Sequence, residues 1–125
     1  MKVIRKDHII QNNCIESTLL EKKIMQTTKH PFLCQMKYFF QTEERLYFVM
    51  PYIGGGNLYQ LMQREGQQLT EQAIRFYAIQ IITAVGELHE GLGVMHRDLK
   101  LENLMLDPAN GYLKLIDFGL ATESD

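Results

Sequence analysis

Between two apolar flanks, Val94-Met95 and Leu104-Met105-Leu106, the chain places His96, Arg97, Asp98, Lys100, Glu102 and Asn103. Flanks that favour burial on both sides would hold these groups in place, which an ordinary surface turn does not require. They include a carboxylate that can take a proton, a lysine that can neutralise an anion, and an amide that offers a hard oxygen to a cation. A further acid follows nineteen residues beyond Asp98, where Asp117-Phe118-Gly119 begins directly after an apolar run ending at Ile116.

The elements that must position these groups can be read from spacing and composition. Val3 and Ile4 suggest the end of a strand, and residues 13–28 read as a helix before Pro31. On that helix Cys14, Thr18, Glu21 and Met25, spaced 4, 3 and 4, share one face, while Glu16 and Lys23 lie nearly opposite. An acid on a semi-apolar face predicts an inward charge with a partner. Residues 33–40 and 46–50 read as two strands joined by a polar turn at 41–45. The single glycine run, Gly54-Gly55-Gly56, marks a hinge or boundary, which divides the chain into units 1–53 and 54–125. Beyond it, 58–63 reads as a short helix, and Thr70 caps a longer one that runs to about Glu90 and stops at Gly91 and Gly93. On the longer helix Ile74, Tyr77, Ala78, Ile81, Ile82, Val85 and Leu88 form one broad face, with Phe76 and Ile79 on the other side. That pattern predicts burial all round. Residues 104–106 and 112–116 read as paired strands about the turn 107–111, giving an α+β chain overall.

Composition excludes several classes. Of 125 residues, 46% are hydrophobic, and 13 basic against 15 acidic residues leave a net charge of −2, which gives no field to draw in nucleic acid or an anionic membrane. No apolar run reaches the roughly 18 residues of a spanning helix. The expected setting is the cytoplasm or nucleus, with Cys14 and Cys34 as free thiols. The four histidines are scattered, without the spacing of a zinc site.

HRDLKLEN at 96–103, a short hairpin, and DFG at 117–119 together resemble the signature of the protein-kinase catalytic domain. The resemblance implies a partial two-lobed kinase fold: the rear of the small sheet lobe plus the first half of the helical lobe. It implies ATP and Mg²⁺ as cofactors and protein substrates. By it, Lys2 is the strand lysine that meets the nucleotide phosphates and Glu21 the helix acid that holds that lysine. Asp98 orients the acceptor hydroxyl and takes its proton, and Lys100 stands beside the transferring phosphate in the pattern of serine/threonine-specific members. Asn103 and Asp117 bind Mg²⁺. Met50 lines the back of the adenine pocket, backbone groups near Pro51 and Ile53 bond the purine, Met105 forms its floor, and Asn57 stands where an acid often contacts ribose. Met25, Met36, His96 and Phe118 stack between the lobes. Arg97 implies regulation through a phosphorylated activation segment, and hence an upstream activating kinase as partner. ESTLLEKKIM, HPFL and the glycine-rich hinge look most like the AGC group, although HRDLKLEN with DFGLA is also common among calcium/calmodulin-dependent relatives. The family's glycine-rich loop should precede Lys2 and its activation segment should follow DFG, where this sequence has Met1 and residues 120–125. The alternative expectation is therefore a truncated, catalytically inert kinase-like binding or regulatory protein.

Overall fold

A computed structural model of the chain describes residues 1–66 and 68–123. Three strands, β1 (Lys2–Arg5), β2 (Tyr38–Gln41) and β3 (Arg45–Val49), form an antiparallel sheet in the order β1-β3-β2. Alternation along these aromatic and β-branched strands decides which side chains face inward. Phe48 is fully buried and pairs across the sheet with Lys2 on one side and Phe39 on the other. Lys2 therefore points to the inner face. The next pair, Phe40 and Tyr47, stacks with ring centroids 4.6 Å apart on the opposite face.

β1 runs directly into a short helix, α1 (Lys6–Gln11), which the polar sequence KDHIIQ does not announce. Asn13, at φ 53°, makes the corner into α2 (Ile15–Thr27), a conformation asparagine tolerates better than most residues. Thr18, Glu21 and Met25 are buried on one face of α2, as their spacing predicts.

The strand expected over 33–40 pairs only from Tyr38 onward. Before it, Leu33 makes one parallel bridge to Leu115, and the Cys34 N–H donates to the Leu115 carbonyl at 3.0 Å. This segment ties the sheet to the second half of the chain instead of lengthening β2.

In that second half, Asn57 caps α3 (Leu58–Arg64), and Thr70 caps α4 (Glu71–Gly86) by accepting from the Ala73 N–H. α4 continues as a π-helical turn, Glu87–Gly91, so the expected stop is met with a change of helix type on the way. β4 (Val94–Met95) pairs with β7 (Thr122–Glu123), and β5 (Leu104–Leu106) with β6 (Leu113–Leu115), both antiparallel. A short 3₁₀ turn, Leu101–Asn103, leads into β5.

The all-round burial expected for α4 is not found. Gln80, Ala84 and Leu88 face inward, while Ile74, Phe76, Ile79 and Ile82 are exposed, the last two at 64% and 70%. The described residues cover one side of α4 only, where Tyr77 and Ile81 pack on the core and Gln80 accepts the main-chain N–H of Leu113 at 2.6 Å and donates to the Phe76 carbonyl. Among the described residues, no helix is long and apolar enough to cross a membrane.

Candidate active site

Three charged groups converge from three elements. Lys2 Nζ on β1 lies 2.7 Å from Glu21 Oε1 on α2 and 3.6 Å from Asp117 Oδ1, after β6. The inward phase of β1 and the buried face of α2 bring the first two together. Burial drives the Glu21 carboxyl above its ordinary range, and the Lys2 hydrogen bond and charge offset this only in part. Asp117 sits at φ 60° and accepts the Gly119 N–H at 3.1 Å through Oδ1, which fixes its carboxylate at the turn. A Cβ at Gly119 would stand 3.1 Å from that same oxygen, so glycine keeps the corner open.

The polar stretch after β4 is held by its own hydrogen bonds. His96 is buried: its Nδ1 accepts the Asp98 N–H at 3.1 Å and its Nε2 faces the Ile116 carbonyl at 3.3 Å. This pair of contacts selects the neutral ring protonated on Nε2. Asn103 Nδ2 donates to the Asp98 carbonyl at 2.9 Å and to its Oδ2 at 3.3 Å, so these contacts leave its amide oxygen unused. Lys100 Nζ is 3.6 Å from the other Asp98 oxygen. The Ile116 N–H donates to the Asn103 carbonyl, which locks this loop to the strand that precedes Asp117. Arg97, at φ 66°, turns away and donates Nε to the Leu120 carbonyl at 2.9 Å.

Beside the charged triplet lies a cavity of about 390 Å³ lined by Met1, Lys2, Glu21, Met25, Cys34, Met50, Pro51, Tyr52, Ile53, Met105, Ile116 and Asp117. Its body is largely apolar, with one ammonium and two carboxylates at one end. The hinge that borders it depends on one glycine. The Gly55 N–H donates to the Leu106 carbonyl at 3.1 Å, and a Cβ there would come within 2.3 Å of that oxygen. A larger groove of about 510 Å³, whose lining includes Ser17, Lys23, Arg97 and Thr122, is separate from the convergent carboxylates.

The structure gathers Lys2, Glu21, Met50, Pro51, Ile53, Met105 and Asp117 around one cavity, with Asp98, Lys100 and Asn103 in a hydrogen-bonded loop joined to it through Ile116. Asn57 stands apart from the cavity lining. Its Oδ1 accepts the Gln60 N–H at 2.8 Å while the Gln60 side chain accepts the Asn57 N–H, a capping box that starts α3. Met25, Met36, His96 and Phe118 are all buried, with the His96 and Phe118 rings meeting edge-on at 5.5 Å. Sequence reading missed Cys34 and Tyr52 as cavity residues and gave His96 no part in orienting Asp98. No periodicity marks the first two, because both lie in irregular segments.

The protein kinase domain family matches residues 1–125. The chain is 46% identical over 123 residues to a RAC serine/threonine-protein kinase of Drosophila melanogaster, covering 98% of this chain and 20% of that protein. It is 48% identical to a RAC-beta serine/threonine-protein kinase A of Xenopus laevis and 44% to a RAC family serine/threonine-protein kinase homolog of Dictyostelium discoideum, covering 98% of the chain and 25% and 27% of those proteins. The chain thus spans about a fifth to a quarter of the length of these curated relatives.

Proposed function

Because the chain belongs to the protein kinase domain family, we propose that its cavity takes ATP with Mg²⁺ and that the site transfers the γ-phosphate to serine or threonine hydroxyls of protein substrates. The observation that carries this reading is the Lys2 ammonium set between Glu21 and Asp117 at the charged end of an apolar cavity. The likeness to RAC serine/threonine kinases supports it, along with the AGC-type assignment and the hydroxyl class. We take 1–53 and 54–125 as the parts of the two lobes.

In this reading each side chain positions or neutralises, which is most of what phosphoryl transfer asks of a protein. Met50 and Met105 flank the base, and main-chain groups near Pro51 and Ile53 bond its edge. Lys2 meets the phosphates and Glu21 holds Lys2. Asp98, oriented by Asn103 and by His96 through its own amide, accepts the hydroxyl proton, and Lys100 neutralises charge beside it. The Asn57 oxygen is engaged in the α3 cap, so Asn57 sets the position of that helix and only its side-chain NH₂ is left for a ribose contact.

The donor set fits Mg²⁺. Asp117 keeps a half-exposed carboxylate and Asn103 an amide oxygen, both hard ligands for an ion that completes its shell with water and phosphate. Bound there, Mg²⁺ would neutralise charge developing on the phosphate oxygens. Arg97 lines the separate groove with Lys23, Glu16 and Glu123, and we take it, by the family resemblance, as the residue that meets a phosphorylated side chain placed by an upstream kinase.

Calorimetric titration of the purified protein with ATP tests the nucleotide reading. Binding should require Mg²⁺ and weaken at least about tenfold in Asp117→Asn, the value of one lost charge-assisted contact. Binding that is indifferent to both changes contradicts it.

A further inference from the structure

The cavity is rich in sulfur: Met1, Met25, Cys34, Met50 and Met105 make up five of its twelve lining residues. Met25 and Cys34, at 1% and 3% exposure, are packed into the core behind it. Met1 is 73% exposed, while Met50 and Met105 are half-buried, Met50 just after β3 and Met105 in the middle of β5. The position of Met105 is fixed by its pairing with Lys114 and its bridge to Asn57. A thioether reacts with peroxides without first losing a proton, so access decides its fate. Burial pushes the Cys34 thiol up, away from the reactive thiolate, and leaves the methionines as the oxidisable groups.

Resting on the nucleotide reading, we infer that Met50 and Met105 form a peroxide-sensitive pair: sulfoxidation of either closes the cavity to nucleotide, and bound nucleotide shields both. The thioether sulfur attacks one oxygen of hydrogen peroxide, the O–O bond breaks and an S–O bond forms. Sulfur gives up two electrons. The proton on the transferred oxygen passes to the departing hydroxide, which leaves as water. The product places a strong acceptor on an apolar wall, where an aromatic base offers its face and no donor. Such an unpaired group should weaken nucleotide binding roughly 10- to 100-fold.

The experiment treats the purified protein with graded hydrogen peroxide, with and without saturating MgATP, then maps sulfoxides by peptide mass spectrometry and measures MgATP affinity before and after. The expected result is sulfoxide at Met50 and Met105 ahead of Met25, suppressed by MgATP, with affinity lost in proportion and restored by methionine sulfoxide reductase. The double variant Met50→Leu, Met105→Leu, whatever its starting affinity, should show no change in affinity on treatment even as the exposed Met1 is oxidised, while Cys34→Ala should remain sensitive. Affinity that survives stoichiometric sulfoxide at both residues overturns the inference alone, as does oxidation that ignores nucleotide. Untreated protein that binds no MgATP overturns the nucleotide reading, and the inference with it.

Discussion

The Lys2 ammonium is 2.7 Å from the Glu21 carboxylate, whose side chain is 3% exposed, and the pair still leaves Glu21 harder to ionise than a free glutamate. The attraction therefore fails to repay the cost of taking the carboxylate out of water, a common outcome for interior ion pairs. What the contact supplies is position. Lys2, partly exposed at the end of a strand, is held at the charged end of the cavity.

Glu21→Gln separates these two roles. A carboxyl raised by burial favours the folded state below its ordinary value of 4.5, and that contribution is lost as pH climbs through the raised folded value. The wild type should thus lose stability with rising pH in a way the variant does not. Urea unfolding at several pH values from 4.5 to 7.5 should show the stability difference moving in favour of Glu21→Gln as pH rises, while phosphoryl transfer falls. A difference that is flat with pH, or that moves the other way, contradicts the assignment.

Gln80→Leu keeps the volume but removes the acceptor for the Leu113 N–H. An unpaired interior amide costs about 1–3 kcal/mol, so denaturant unfolding should place the variant lower by that amount. Gln80→Glu, which keeps an acceptor, should place the loss differently by adding an interior charge that must protonate. Unchanged stability in Gln80→Leu would mean that this hydrogen bond does not hold α4 against β6.

This is also where sequence reading reached its limit. The grouping of the site residues was legible because it is set at short range: HRDLKLEN and DFG each sit on one continuous piece of chain, and the inward phase of Glu21 follows from its spacing to Thr18 and Met25. The inward place of Gln80 was not, because it answers a main-chain group 33 residues away that no local pattern displays. Apolar periodicity alone pointed Ile74 and Ile82 inward. The missed helix α1 is likewise set by contact with β1 and α2 more than by its own polar residues. Residues 33–36 look like strand by composition, yet Leu33 and Cys34 pair with Leu115 and the Met36 N–H donates to the Met25 carbonyl.

Two glycines should respond oppositely to alanine. Gly55→Ala drives a Cβ into the Leu106 carbonyl and should destabilise by about 1–3 kcal/mol, with weaker nucleotide binding as the hinge shifts. Gly86→Ala meets nothing within 4 Å at helical backbone angles, and should add about 0.5–1 kcal/mol by restricting the unfolded chain. Thermal unfolding of both variants against wild type checks the pair, and a shared sign would contradict the reading of either backbone.

The central claim is that Asp98 receives the proton of an acceptor hydroxyl beside bound MgATP. The most direct measurement is transfer of labelled γ-phosphate to a peptide mixture by the purified protein and by Asp98→Asn, alongside MgATP affinity for both. The account predicts phosphoserine and phosphothreonine from the wild type, with turnover reduced roughly 10²- to 10⁴-fold in Asp98→Asn and nucleotide affinity kept within a few-fold. Absence of transfer by the wild type, or equal transfer by the two proteins, would contradict it.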